Sequence, residues 1–187
     1  AGTVALAFAN TGRAGAVFHV YDKLHLERIP RRYTVGAGDE LGGQWDLTAD
    51  AGAYDLWVLG PNGFHRHFTG KVTARRHREA EPELRVDYDT RRGGLWLKLV
   101  NRGDAQCTFR LTANAYHHRW EPLVVRVGAR DEREHFLPLH HSANWYDFTL
   151  QVAGIPAFSR RFAGRVETGR HSLSDPGLGG RARGEQG

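Results

Sequence analysis

The chain has 187 residues, 26 Lys+Arg against 21 Asp+Glu for a net charge of +5, and a single cysteine. That length allows one large domain or two of about 80–90 residues, and one cysteine excludes an intrachain disulfide. No apolar run approaches the roughly 18 residues of a membrane-spanning helix, and no Lys/Arg cluster is interleaved with aromatics on one strand, so nucleic acid is not an expected partner.

Strand signals dominate from the start. Val4, Leu6 and Phe8 alternate with alanines, Asn10-Thr11-Gly12-Arg13 reads as a turn, and residues 16–21 return. Asn and Gly at such turns are expected to supply left-handed conformations. Asp50-Ala51-Gly52-Ala53-Tyr54 has the D-x-G-x-Y form of the corner that leads into the penultimate strand of immunoglobulin-like sandwiches. There the tyrosine hydroxyl is expected to bond back to upstream backbone. Gly60-Pro61-Asn62-Gly63 then joins residues 54–59 to 64–72 as a hairpin.

Residues 75–83 are charged and apolar-poor, as a linker would be. The second half opens with Leu84-Arg85-Val86-Asp87-Tyr88. Leu95, Leu97 and Leu99 follow, then a turn at Asn101-Arg102-Gly103-Asp104, then Cys107, Phe109 and Leu111. Ser142-Ala143-Asn144-Trp145-Tyr146 is a degraded form of the same corner. From Gly169 the chain is rich in Gly, Arg and Ser and reads as a disordered tail. No stretch sustains a helical period.

The halves repeat each other. Val4, Leu6, Phe8, Asn10, Gly12, Phe18 and Val20 match Leu95, Leu97, Leu99, Asn101, Gly103, Phe109 and Leu111 at one offset. Tyr54-Asp55-Leu56 matches Tyr146-Asp147-Phe148, and Phe64, Arg66, Phe68 and Gly70 match Phe158, Arg160, Phe162 and Gly164. A period this long predicts two copies of a small domain. The expected fold is all-β: two tandem antiparallel immunoglobulin-like β-sandwiches over 1–74 and 84–168, with separate sheets, a linker over 75–83 and a tail over 169–187. The counterpart of residues 84–88 falls before Ala1, so the first copy is expected to lack an edge strand of the parent. Its exposed edge would be filled by the tail, a second copy or nothing.

The residues able to carry chemistry read mostly as structure. Cys107 stands where the first copy has Ala16, in register with Phe109 and Leu111, and is expected to be a small buried hydrophobe. Arg66 and Arg160 recur in both copies. Asp55 and Asp147 on the neighbouring strand are their expected partners, with an apolar stem under a wet head as the alternative. Tyr54 and Tyr146 are the corner residues. Trp57 and Trp96 point outward in one copy only and are the candidate contact surface, for the sister domain first, then a partner domain, lipid or a choline headgroup. His65 and His67 share a strand face, and His117-His118 and His140-His141 are doublets. On strands a doublet offers one ligand per face, and no metal or cofactor motif accompanies them. No catalytic residue is assigned.

The stretches Ala7-Phe8-Ala9-Asn10-Thr11-Gly12 and Tyr54-Asp55-Leu56-Trp57-Val58-Leu59-Gly60-Pro61-Asn62-Gly63-Phe64-His65-Arg66 resemble the tandem C-terminal domain of bacterial phosphocholine-preferring phospholipases C, haemolytic and non-haemolytic. The resemblance covers residues 1 to about 168. It implies a non-catalytic accessory region and, as partner, an N-terminal catalytic domain that cleaves phosphatidylcholine and in some members sphingomyelin. It also implies export to the periplasm or outside the cell. The chain has no initiating Met and no signal-peptide pattern, so the export signal is expected to lie outside it. Two other classes remain open: an independent carbohydrate- or choline-binding module, marked by an exposed aromatic strip, and a small metal-dependent hydrolase, marked by three converging His or Asp side chains.

Overall fold

The computed structural model describes residues 2–73, 78–116, 121–171 and 173–175. The first half holds β1 (Thr3–Ala9), β2 (Ala16–Asp22), β3 (Arg31–Val35), β4 (Glu40–Asp46), β5 (Ala53–Leu59) and β6 (His65–Lys71). The second holds β7 (Pro82–Asp89), β8 (Gly94–Asn101), β9 (Cys107–Ala115), β10 (Leu123–Val127), β11 (Asp131–Pro138), β12 (Trp145–Val152) and β13 (Ile155–Arg165). A single 3-10 turn, His140–Ser142, precedes β12. The fold is all-β and its strands pair antiparallel, as the alternating pattern predicts.

Each half buries its own core. In the first, Phe8 on β1 and Trp45 on β4 close over Val20, Leu56 and Val58 of the facing sheet. In the second, Leu95, Leu97 and Leu99 of β8 close over Phe109, Leu111, Phe148 and Leu150. Alternation along each strand supplies one apolar face, and two such faces make a sandwich.

The expected separateness of the sheets does not hold. The larger sheets of the two halves fuse into one eight-stranded sheet, in the order β10-β9-β12-β13-β6-β5-β2-β3. The join is β6 against β13, with Arg66 opposite Phe162, His67 opposite Arg161 and Phe68 opposite Arg160. Arg66 and Arg160 are repeat equivalents, as are Phe68 and Phe162. The seam therefore has an approximate two-fold axis through the His67–Arg161 pair, like the isologous interface of a homodimer. Both copies end on the same kind of strand edge, and pairing the two edges satisfies their backbone groups. Phe68 packs against both cores.

On the other side of the sandwiches the sheets stay apart. The second half has a three-stranded sheet, β11-β8-β7; the first has only β1-β4. Among the described residues no strand borders the second edge of β1.

The turns after β1 and β8 owe more to side chains than to backbone handedness, whereas the β5–β6 turn has left-handed Asn62 and Gly63. Asn10 and Asn101 do not have positive φ, contrary to the expectation. Their amides brace the turns instead: Asn10 Nδ2 donates to the carbonyls of Ala14 and Val35, and Asn101 Nδ2 to those of Ala105 and Gly128. Left-handed backbone occurs at the corners, at Ala51 and Gly52 and at their counterparts Ala143 and Asn144. That explains Gly in one copy and Asn in the other, since both tolerate that region. Residues 78–81 run against Gly103, where a side chain would collide with the backbone of Glu79 to Glu81.

Cys107 is buried at the start of β9, and burial pushes its thiol pKa up. A neutral disulfide reagent is expected to label it only as the protein unfolds, so labelling should follow the urea transition. Rapid modification of the folded chain would show that β9 opens locally.

Candidate functional site

The seam gathers most of the buried charge. Arg66 and Arg160 are 6% and 5% exposed, each crosses the β6–β13 boundary, and each ends on the corner tyrosine of the other half. Arg66 Nη1 donates to the His65 and Ala163 carbonyls, both at 2.9 Å. Its Nη2 donates to the Tyr88 hydroxyl at 2.7 Å and the Tyr146 hydroxyl at 3.0 Å. Arg160 Nη1 donates to the Thr69 and Ser159 carbonyls, and Nη2 to the Tyr54 hydroxyl at 2.9 Å. Its Nε and Nη2 also hold Glu83 in a two-point ion pair at 2.8 and 2.9 Å.

Aromatic faces sandwich both cations. The Arg66 guanidinium lies 4.1 Å from the Phe64 ring centre and 4.5 Å from that of Phe162. Arg160 lies 4.3 Å from Phe158 and 5.5 Å from Phe68. Planar, delocalised Arg suits this stacking and forked donation better than Lys. Burial works against the charge of Arg160, but the Glu83 bonds and carboxylate outweigh it and hold the guanidinium pKa up.

Asp55 and Asp147, the expected partners of these arginines, bond other residues. Asp55 pairs with Thr69 and Val58 with Arg66 in the β5–β6 register, so Asp55 lies on the opposite face of the sheet from Arg66. Asp55 bonds His67, and Asp147 takes Arg161 at 2.9 and 2.7 Å. The predicted corner is corrected too: Tyr54 and Tyr146 bond arginine rather than upstream backbone. Tyr146 is fully buried and Tyr54 half-buried. Their rings lie over Gly70 and Gly164, their cross-strand partners, where a Cβ would meet the ring or hydroxyl. The two glycines recur in the repeat because only a bare backbone lets the ring reach the seam.

Trp57, His65, His67 and Asp55 share the outer face of the eight-stranded sheet. Trp57 is 36% exposed and meets His65 edge-on at 5.4 Å, with Lys23 5.4 Å from its ring centre. Trp96 sits on the three-stranded sheet against Phe136, at 5.1 Å. The two tryptophans are thus on different sheets and form no common strip, and the contacts just named stay within their own halves. His140 and His141 lie in the 3-10 turn with rings 3.8 Å apart, not on a strand as expected. His117 and His118 fall outside the described residues. Among the described residues no group of three His, Cys, Asp or Glu side chains converges as a metal site would.

His65 is unusual. Its Nε2 is buried without a hydrogen-bond partner. Burial first, and the Arg161 cation second, lower its pKa from 6.5 to about 4. The imidazole is neutral at neutral pH, which unfits it to bind an anion by charge. A groove of about 1150 Å³ opens beside the seam, lined by Tyr54, Gly70, Val72, Glu83, Phe158 and Arg160.

The molecule is a duplicated β-sandwich fused through one sheet, with charges repeated in both copies holding the halves together. The family described as bacterial phospholipase C, C-terminal domain, matches residues 1–71 and again 82–165, once per half. The chain belongs to that family. It is 43% identical over 178 residues to the non-hemolytic phospholipase C of Pseudomonas aeruginosa, covering 94% of this chain and 25% of that protein. It is 41% identical over 175 residues to the non-hemolytic phospholipase C of Burkholderia pseudomallei, with the same coverages. The hemolytic phospholipase C of Pseudomonas aeruginosa is 34% identical over 178 residues, covering 88% of this chain and 24% of that protein. The chain therefore spans about a quarter of the length of these relatives. Among solved structures, a chain from an ice-binding bacterial adhesin overlays with a TM-score of 0.32 at 14% identity, covering 89% of this chain and 58% of that one, too loosely to bear on function.

Two outcomes follow from the seam and from His65. Arg160→Met leaves Glu83 and the Tyr54 hydroxyl without their donor, and urea unfolding should show a loss of about 3 kcal/mol. Arg133→Met, which removes the exposed ion pair with Asp131, should lose less than about 1 kcal/mol. Equal losses would mean that the seam arginines are not special. For His65, the folded pKa lies below the unfolded one, so the unfolded chain binds more protons between pH 6.5 and about 4. Stability is full above that window and falls as pH drops through it. His65→Leu should flatten this fall, measured as the urea midpoint against pH; an unchanged slope would assign it to other groups.

Proposed function

We propose that this chain is the non-catalytic C-terminal region of a secreted phospholipase C that acts on phosphatidylcholine, with sphingomyelin a further substrate of the parent. Its role is to buttress an N-terminal catalytic domain as one stiff platform and to help orient it at a lipid surface. The observation that carries this reading is the match of both halves to relatives named phospholipase C, a quarter of whose length the chain spans. The seam supports it physically. Two tandem sandwiches on a flexible linker would transmit little, whereas one sheet running through both resists bending. Phosphodiester cleavage needs a positioned nucleophile and strong stabilisation of phosphoryl charge. The buried cations Arg66 and Arg160 are instead engaged within the fold: both by carbonyls and tyrosine hydroxyls, and Arg160 also by Glu83.

The purified chain, given calcium, zinc or magnesium in turn, is expected to hydrolyse neither phosphatidylcholine vesicles nor a soluble phosphocholine ester. Turnover that vanishes on substituting His65 or His67 would replace this reading with a metal-dependent hydrolase. Vesicle flotation with the native chain and Trp57→Ala separates the two accessory roles. A severalfold loss of vesicle binding in the variant supports lipid contact through the outer sheet face, and no binding by either leaves buttressing as the role.

A further inference from the structure

The second half is an internal control for the first, and the comparison isolates one vacancy. In the second half, β8 is flanked by β11 and β7. In the first, β1 is flanked by β4 alone. Leu95, Leu97 and Tyr146 are each 0% exposed, and Phe158 and Phe162 are each 6%. Their counterparts Val4, Leu6, Tyr54, Phe64 and Phe68 are only half-buried. One apolar row is sealed in one copy and half open in the other, along the line that β7 covers.

The open edge is competent to pair. Asn10 N donates to the Asp39 carbonyl and Leu47 N to the Gly2 carbonyl, so the even-numbered residues of β1 bond β4. By the alternation of an antiparallel ladder, the N–H and C=O of Thr3, Ala5, Ala7 and Ala9 face the vacancy. Three sheets present six edge strands, and among these described strands β1, Thr-Val-Ala-Leu-Ala-Phe-Ala, is the one without a charged residue. Free edges are normally guarded by charge or Pro. An edge lined with alanines is built to be covered.

The seam is also half furnished. From β7, Tyr88 reaches Arg66 and Glu83 reaches Arg160. The approximate two-fold demands a mirror set: a second Tyr88-like residue beside Arg160 and Tyr54, and a second Glu83-like acceptor beside Arg66. Arg160 and Tyr54 line the groove beside the seam, where the first of these belongs. Among the described residues no carboxylate makes an ion pair with Arg66, where the second belongs.

We propose that the edge of β1 is the seat of a strand contributed by the parent polypeptide just upstream of residue 1, antiparallel to β1 in the register that β7 takes on β8. β7 stands directly upstream of β8 in the chain, and the repeat places its counterpart directly upstream of β1. The strand has apolar residues at alternate positions over Val4, Leu6, Tyr54 and Phe68. It also has an acceptor facing Arg66, and it completes the first sandwich. This inference concerns assembly of the fold and does not rest on the enzymatic reading.

Amide hydrogen exchange tests it on two chains: residues 1–187, and the same chain extended upstream by ~12 parent residues, the length of one strand and its turn. In residues 1–187 the amides of Ala5, Ala7 and Ala9 should exchange freely while those of Leu6 and Phe8 are protected. In the extended chain Ala5, Ala7 and Ala9 should slow by roughly a hundredfold. Ala7→Pro removes an outward N–H without touching the β4 ladder. It should restore fast exchange at Ala5 and Ala9 in the extended chain and leave Leu97 protected in both, as a control for folding. Three results would overturn the proposal: no slowing on extension, concentration-independent protection already present in residues 1–187 (its own tail on the edge), or protection that grows with concentration (a second copy).

Discussion

Everything in this molecule is arranged around two buried arginines that change sides. A guanidinium taken out of water is tolerable only when its donors are met and its charge is balanced or spread. Arg66 and Arg160 meet this condition only by crossing from one half to the other. Each gives one nitrogen to backbone carbonyls on both sides of the seam and the other to the far corner tyrosine. Neither half alone could satisfy its own arginine. The sandwiches are thus joined by a reciprocal demand, not by the hydrophobic contact of Phe68 and Phe162 alone.

That demand explains features that look unrelated in the chain. Gly70 and Gly164 are bare so that a tyrosine ring can lie across them. The corner tyrosines persist although they no longer brace their own corners. β13 and β6 keep alternate Phe-x-Arg-x-Phe side chains, so that each cation is stacked between aromatic faces. Through this seam the two cores share one hydrogen-bonded sheet.

The repeat, the strand pattern and the positions of the turns and corners were legible in the chain because they rest on local spacing, which survives duplication; how Asn10, Asn101 and the corner tyrosines bond was not. The fused sheet was not. A strand edge carries no mark saying whether its backbone partner is solvent or another copy, and Phe64-His65-Arg66-His67-Phe68 reads the same in a free sandwich and in a joined one. The error over Asp55 is of the same origin. Whether Asp55 and Arg66 share a face depends on the parity of the β5–β6 register, set by the hairpin around Gly60-Pro61-Asn62-Gly63, and a one-residue slip inverts it. The swapped tyrosines were illegible for a further reason: their partner lies 80 residues away for Tyr146 and 106 for Tyr54, and only the fused sheet brings them together.

The axis also accounts for one place where the copies diverge, His67 against Arg161. Off the axis, equivalent residues meet different neighbours, so Arg66 and Arg160, or Phe68 and Phe162, can stay identical. On the axis a residue faces its own counterpart. His67 is opposite Arg161; two arginines there would set like charges directly across an antiparallel pair, a destabilising arrangement. One copy has the histidine, bonded to Asp55, and the other has the arginine, bonded to Asp147. The same crowding reaches His65, whose imidazole is kept neutral by burial and by Arg161. His67 lies on the axis and His65, opposite Ala163, lies off it, so the axis accounts for the first of these histidines and burial beside Arg161 for the state of the second.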